Sequence, residues 1–197
     1  MKTKILIGVV VAAIVSVVVI VLVFMLKPSV KGLLQDGKYS EAYEKANSSQ
    51  KDEILMESVV AFVSSMASEL LKTPSSFELI DAYCDPYIHS DGSIGCNILL
   101  YVSAESSNGN TVTGYFVYFL SKEEWKYYGT TSELEEYSGD SISVRLIKES
   151  ARRTIDKGTC LSVVQIERIN RLFEGGMINS SYQINWSDVD TSNFRRE

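Results

Sequence analysis

The chain has 197 residues, of which 25 are acidic and 19 basic, and 45% are hydrophobic. Its acidic balance disfavours nucleic acid and anionic membrane surfaces as partners, because both are themselves anionic. Three cysteines are too few, and odd in number, for the disulfide scaffold of a small secreted domain. A packed core must therefore hold the fold together.

A long apolar segment stands at the N-terminus. Residues 5–26 contain no charged side chain, and only Gly8 and Ser16 interrupt the large apolar residues. A bilayer is spanned by about 20 apolar residues, and a cleaved signal peptide usually has a shorter apolar stretch. The segment predicts an uncleaved transmembrane helix that acts as a signal anchor in the lipid bilayer. Cleavage after Gly32, where Val30 and Gly32 are small enough for processing, is the alternative.

The charges beside this segment bear on its orientation. Lys2 and Lys4 precede it, and Lys27 and Lys31 follow it. Lysines collect on the cytoplasmic side, and a four-residue tail is easily left inside while a long domain crosses. We therefore expect a single-pass protein of the cell membrane with its C-terminal domain outside. The reverse topology would make it a membrane-tethered cytoplasmic regulator.

Composition divides the chain into five parts. Residues 1–26 form the cytoplasmic tail and transmembrane helix, and 27–51 a juxtamembrane helix or spacer. A helix and a four-strand meander occupy 52–129, a C-terminal helical extension with a final strand occupies 130–186, and a polar tail that frays occupies 187–197. Without Lys2 and Lys4 the part after the anchor keeps 17 basic residues against 25 acidic ones, a net charge of −8.

Two helices are predicted before the meander. Residues 33–46 resemble one helix of a tetratricopeptide repeat, but no second copy follows, so a lone amphipathic helix is favoured. Ser49 and Asp52 then predict the start of a longer helix. Its apolar stripe recurs at helical spacing until Pro74 stops it, and the stripe consists of Leu55, Val59, Phe62, Met66 and Leu70.

Strand patterns follow Pro74. Four stretches rich in β-branched and aromatic residues, with short turns between them, lie at 77–84, 96–103, 111–120 and 125–128. Short connections favour an antiparallel meander. The chain is thus predicted to be α+β, with the long amphipathic helix packed on the meander, an element order that also occurs in cystatin-like folds.

The last third turns helical again. Ser132 and Glu135 predict a short helix that ends near residue 139, and 144–155 a helix that the pattern also allows to begin as a strand. Ser162 and Gln165 are typical of a capping box, before a helix that ends at residues 175–176. Alternation over 178–186 predicts a final strand.

One family resemblance is visible. The turn at 71–77, Leu-Lys-Thr-Pro-Ser-Ser-Phe, is followed by strand patterns at 101–109 and 114–118. In these features the chain resembles a small exported or membrane-anchored domain of Gram-positive bacteria and their phages. The resemblance covers roughly residues 53–120, and Asn108 and Gly109 are adjacent where that domain has an intervening Phe. It implies a bacterial extracytoplasmic location and no particular activity.

The only histidine, His89, could be a metal ligand or the general base that activates a nucleophile. Asp85, His89 and Asp91 could meet a metal ion, but their spacing departs from the calcium-loop pattern, and a turn explains the same residues. Cys84 lies near His89, yet the surrounding aspartates oppose a thiolate. The motifs typical of phosphate loops, zinc proteases and serine hydrolases do not occur in the sequence. We therefore expect no catalytic constellation, no metal and no cofactor.

Aromatic residues are concentrated in the second half of the meander. Tyr115, Tyr118, Phe119, Tyr127 and Tyr128 are the candidate binding residues for a protein or glycan partner in the cell envelope. Strand alternation puts Tyr115 and Phe119 on one face and Tyr118 on the other. The alternative is a sheet that C-terminal helices cover on both faces.

A cysteine pair flanks the first predicted hairpin. With a turn centred on residues 90–92, Cys84 and Cys96 lie opposite one another within about one residue. The pair predicts a possible disulfide, and Cys160 is left as a free thiol. The alternative is two small buried residues that happen to face each other.

These patterns favour a membrane-anchored extracytoplasmic binding module that is not an enzyme. The alternative is a cell-envelope hydrolase that uses carboxylates, which leave no local sequence signature. A pocket that holds two carboxylates within about 10 Å would favour that alternative.

Overall fold

The computed structural model describes residues 28–121, 124–131, 142–177 and 190–197, which form an α+β fold with an antiparallel sheet and helices. The predicted anchor at 5–26, the predicted helix at 132–139 and the predicted strand at 178–186 lie outside these residues. Within the described ranges, every helix is too short or too polar to cross a bilayer.

The segment after the predicted anchor forms two helices where the sequence predicted one. Helix α1 spans Val30–Gln35 and helix α2 spans Tyr39–Lys45. The chain turns between them at Gly37, whose φ of 70° is costly for other residues. Leu33 and Tyr39 are buried in the main core, so this segment is an integral part of the domain and not a detached spacer.

Helix α3, Ser48–Glu69, is the long helix of the domain. The predicted cap at Ser49 and Asp52 was misplaced by two residues, because Asn47 and Gln50 form the capping box instead. Ser49 donates its hydroxyl hydrogen bond to the Asn47 side chain, 2.7 Å away. A 3₁₀ helix at Pro74–Ser76 then leads the chain into the sheet.

The meander is present in the predicted order. Its antiparallel strands are β1 at Glu78–Ile88, β2 at Ile94–Glu105, β3 at Thr111–Ser121 and β4 at Glu124–Thr131. Alternation places large apolar residues of β1 to β3 on the face that packs against the helical core, including Ile98, Leu100 and Phe116. The opposite face carries Tyr83, Asp85, Tyr87, Leu99 and Val117.

Short elements cover the outer edge of β1. Strand β5, Thr159–Cys160, pairs with it antiparallel, and strand β6, Arg195–Arg196, pairs with it in parallel. The predicted polar tail thus does not fray in its last residues. Asn170 completes the edge, since its side chain accepts from the Leu79 N–H at 2.9 Å and donates to the Leu79 carbonyl at 2.8 Å.

Two C-terminal helices lie on opposite faces of the sheet. Helix α4, Ile142–Lys157, crosses the second face, where Ala151 packs against Leu99 and Val117. Helix α5, Val163–Glu174, begins at the predicted capping box and packs beside α3 on the core face. The alternative of a sheet covered on both faces therefore describes the fold.

A candidate binding cleft on the second face of the sheet

A cleft of about 280 Å³ lies between the second face of the sheet, helix α4 and strand β6. Its lining combines aromatic, acidic and basic side chains from five elements: strands β1, β2 and β3, helix α4 and the segment of β6. The lining residues are Asp85, Tyr87, Asn97, Phe119, Leu146, Glu149, Ser150, Arg153, Lys157, Arg195 and Glu197.

The floor of the cleft is an ion pair between β1 and β6. Asp85 is 3% exposed, and its carboxylate accepts a hydrogen bond from Arg195 Nη2 at 3.0 Å. Arg195 Nη1 donates to Glu197 at 3.1 Å. Burial lowers the pKa of Arg195, but its hydrogen bonds to Asp85 and Glu197 outweigh that effect and raise it. The guanidinium is thus charged and held in one orientation.

The third nitrogen of this guanidinium, Nε, does not take part in these hydrogen bonds. The Nε atom of Arg195 is buried and has no acceptor within hydrogen-bonding distance among the described residues. A buried donor without a partner costs free energy, and such groups are rare in folded proteins. Arg195 therefore keeps one unsatisfied polar group at the floor of the cleft.

Aromatic rings form one wall. The Arg195 guanidinium lies 5.0 Å from the centroid of the Tyr87 ring, and His89 meets the same ring edge-on at 4.9 Å. Phe119 lies 6.3 Å from Tyr87. Tyr87 pairs with Gly95 across the hairpin, where a Cβ atom would come within 2.5 Å of the ring. The Tyr87 ring therefore occupies space that is free only because residue 95 is a glycine.

Helix α4 supplies the rim. Glu149 accepts from Arg153 Nε at 3.0 Å, one helical turn away, and from Arg152 at 3.3 Å. These hydrogen bonds, first from Arg153 and then from Arg152, lower the pKa of Glu149 below its usual value. Arg153 and Lys157 line the cleft and are exposed to solvent. The rim is therefore cationic on the side of α4.

The candidate metal ligands do not converge. Asp85 is engaged by Arg195, and His89 Nδ1 lies 3.7 Å from Glu197. Asp91 stays in the hairpin turn, where it accepts from the Ser93 N–H at 2.8 Å and the Ser93 hydroxyl at 2.6 Å. Within the described ranges, acidic, histidine and cysteine side chains form no group of three able to hold a metal ion.

The aromatic candidates are divided among three places. Phe119 lines the cleft, and Tyr115 is half-buried against the cluster of Leu99, Val117 and Ala151, stacked on Tyr101 with ring centroids 4.7 Å apart. Tyr118 is 1% exposed and belongs to the core, so it offers no surface to a ligand. Tyr127 pairs with Tyr118 in register, and Tyr128 falls where the β3–β4 register shifts.

The two hairpin cysteines face the core together. Their register differs from the predicted direct opposition, since Cys84 pairs with Ile98 and Cys96 with Pro86. This two-residue offset keeps both on one face, and their Sγ atoms are 3.1 Å apart as thiols. Burial raises the pKa of Cys96 well above its usual value. A disulfide between them stays a prediction.

Cys160 is an exposed thiol, as the sequence predicted for the unpaired cysteine. Its Sγ lies 3.2 Å from Asp81, and desolvation together with this carboxylate raises its pKa to about 11. The thiol is therefore almost entirely protonated near neutral pH, which argues against a nucleophilic role.

Sequence reasoning missed several residues of the cleft. Arg195 and Glu197 lie in a segment whose polar composition predicted a frayed tail, and no local pattern indicates that it pairs with β1. The first strand was predicted to end at residue 84, so Tyr87 fell outside it, whereas β1 extends to Ile88. The sole usable signal was its alternation with Asp85 and Tyr83, which places all three on one face of β1. No protein-family model matches the chain, and searches of curated proteins and of solved structures find no significant match.

Proposed function

We propose that this protein is a membrane-anchored, extracytoplasmic binding module, and that the cleft beside Arg195 recognises its partner. The observation that carries the proposal is the buried Asp85–Arg195 pair, which leaves one guanidinium donor unused beneath an aromatic wall. A fixed polar group within an aromatic surround is the usual composition of a binding site.

The size of the cleft indicates the kind of partner. Its volume of about 280 Å³ is at the small end of ligand pockets. It suits one side chain or one sugar ring of a longer molecule. Aromatic rings bind apolar faces, while Arg153 and Lys157 favour a negatively charged group at the rim. A protein or glycan of the cell envelope that presents a carboxylate fits this description.

A carboxylate-dependent hydrolase is the second candidate, and a specific observation favours it. Asp85 and Glu197 each bind one nitrogen of Arg195, so the two carboxylates lie within about 10 Å of each other, as glycoside hydrolysis requires. A general acid, however, needs a raised pKa, and the pKa of Glu149 in this cleft is lowered. Both other carboxylates are occupied by the guanidinium. Binding is therefore the better supported function.

The membrane part of the proposal rests on the unbroken apolar run at 5–26, which ends just before the first described residue, Pro28. Alkaline carbonate extraction should leave the full-length chain in the membrane pellet. Protease added to intact protoplasts should digest the domain if it is outside. Protection until lysis would instead support the cytoplasmic regulator.

The cleft is tested by photo-crosslinking in membranes. A photoreactive phenylalanine analogue replaces Phe119 in the full-length chain, and a control chain carries it at Val112, which is 47% exposed on β3 outside the cleft. We expect a defined crosslinked product only from position 119. The rim variant Arg153→Ala/Lys157→Ala should reduce it. Arg152→Ala, on the same helix but outside the lining, should not.

Two results would count against this assignment. Equal crosslinking at positions 112 and 119, or a product indifferent to the rim variant, would show that the cleft is not the contact. Turnover of cell-wall glycan fragments by the purified chain, lost in Glu197→Gln, would replace the binding module with the hydrolase.

A further inference from the structure

Two adjacent valines are unusually exposed at the start of helix α5. Val163 is 73% exposed and Val164 58%, which makes Val163 the most exposed of the large apolar side chains whose burial the structure describes. The Ser162–Gln165 capping box fixes the first turn of the helix. Ile166 and Ile169 face the core from the following turn. The valines therefore cannot turn inward without unwinding the helix.

These valines lie near the point where the chain leaves the proposed anchor. A groove of about 280 Å³ is lined by Val164 from α5 and by Val30 and Lys31 from α1. Val30 follows Pro28 by two residues, a distance of about 7 Å at most. The proposed span ends at Leu26, so the groove and its valines are within reach of the bilayer surface.

Basic side chains accompany the apolar ones at this end of the domain. Lys31 lines the groove, and Lys45 Nζ donates to the Pro28 carbonyl at 3.5 Å. The domain as a whole is acidic, which disfavours adsorption to an anionic surface, but in this groove Lys31 and Arg168 balance Glu53 and Glu57, so the groove lining carries no net negative charge. Valines beside lysines are the composition of protein surfaces that enter the lipid headgroup region.

We infer that the anchor-proximal patch, defined as Val30, Lys31, Val163 and Val164, docks into the interfacial zone of the bilayer that holds the anchor. This inference rests on the proposed membrane anchoring. The two valines enter the boundary between headgroups and acyl chains, and Lys31 and Lys45 lie at the level of the lipid phosphates. The domain is thereby held against the membrane in one orientation instead of swinging on a flexible tether.

The test measures lipid contact at single positions in the full-length chain. Val164→Trp and the control Val112→Trp are each reconstituted into vesicles with and without lipids brominated near the headgroup end of their acyl chains. Bromine quenches tryptophan on contact, and the parent chain corrects for the two native tryptophans. Val112 is a suitable control because it lies far from the groove. It is beside the β2–β3 turn, next to Glu105, whose N–H donates to Ser76 beyond the C-terminal end of α3. Gln50 of the groove lies near the other end of α3, and the helix between the two ends is about 28 Å long.

We expect the Val164→Trp emission to shift to shorter wavelength and to lose intensity in brominated vesicles, while the Val112→Trp emission does neither. A chain that floats with the vesicles but shows no quenching at position 164 would overturn the docking and leave the anchoring intact. A chain that does not float would overturn both. A blue shift without quenching that grows with protein density would assign the patch to a second copy of the chain and overturn the docking.

Discussion

The ion pair between Glu57 of α3 and Arg168 of α5 allows a quantitative test of the fold. Glu57 is 1% exposed, and Arg168 Nη1 donates to its two carboxylate oxygens at 2.9 and 2.8 Å. The Tyr39 hydroxyl adds a third hydrogen bond at 3.0 Å. Replacing Arg168 with Met keeps the volume of the side chain but leaves a buried carboxylate without its counter-charge.

The expected loss is large. Removing one partner of a buried ion pair costs about 3–5 kcal/mol, because the other charge stays desolvated. Domains of this size have free energies of unfolding of about 5–15 kcal/mol, so Arg168→Met should lose roughly a fifth or more of the stability. The double variant Arg168→Met/Glu57→Gln removes the uncompensated charge and keeps an acceptor for Tyr39. It should recover most of the loss.

The loss should also depend on pH. Burial raises the pKa of Glu57, and the Coulombic attraction and hydrogen bond of Arg168 oppose that rise. A carboxyl whose pKa is higher in the folded state favours folding below its unfolded pKa of 4.5, and this advantage disappears as pH rises through the folded pKa. Without Arg168 the folded pKa rises further. The deficit relative to wild type should therefore be small near pH 4.5 and reach its full size at neutral pH.

Equilibrium urea unfolding, followed by circular dichroism at several pH values, measures this difference. The domain that begins at Pro28 suffices, since its core cluster runs from Leu33 to Phe194. An exposed substitution on the same helix, Arg171→Met, is the control for lost helix propensity and charge. A deficit that is equal at acidic and neutral pH, or that persists in the double variant, would refute the argument from the buried charge.

Three further predictions follow from single contacts. Asn170→Ala should lower the free energy of unfolding by about 1–3 kcal/mol, because it leaves buried backbone groups at the edge of β1 unpaired, whereas Asn193→Ala at an exposed hydrogen bond should change it little. Gly95→Ala should lower the free energy of unfolding by about 1–3 kcal/mol, because the added methyl group displaces the Tyr87 ring. It should also weaken crosslinking from position 119, and unchanged crosslinking would contradict a role for Tyr87 in the cleft. Cys84 and Cys96, with Sγ atoms 3.1 Å apart, should be bonded in protein from the cell surface. Because both are buried, the protein is alkylated in denaturant without reductant, and a single cysteine should be labelled. Three labelled cysteines would exclude the bond.

The meander and the helix that packs on it could be predicted from the sequence, because their information is local. Turn residues at 90–92 and 106–110 separate strands whose alternation assigns each side chain to a face, and the prediction of opposite faces for Tyr118 and Phe119 was right. The Ser162–Gln165 box, likewise, lies within four residues. At the start of α3 the sequence pattern pointed to Ser49 and Asp52, whereas Asn47 and Gln50 form the box.

The candidate cleft could not be predicted in the same way. Asp85 and Arg195 are 110 residues apart, and their contact exists only because the C-terminal segment adds a parallel strand to β1. Strand alternation in the sequence indicated which residues share the second face of the sheet. It did not indicate which helix would cover that face. Long-range pairing depends on how well two surfaces fit once the core has formed, and no short pattern records that.

The sequence by itself determined the class of fold, the order of the meander, the caps of α5 and the presence of an apolar run long enough for an anchor. These depend on periodicity and on contacts between near neighbours. Only the tertiary structure decided that Tyr118 is core while Phe119 lines a cleft that ends at Arg195, and that two valines of α5 stand beside the first residues of the domain. Burial is a property of the assembled layers, because a side chain is hidden only when another element packs over its face of the strand or helix.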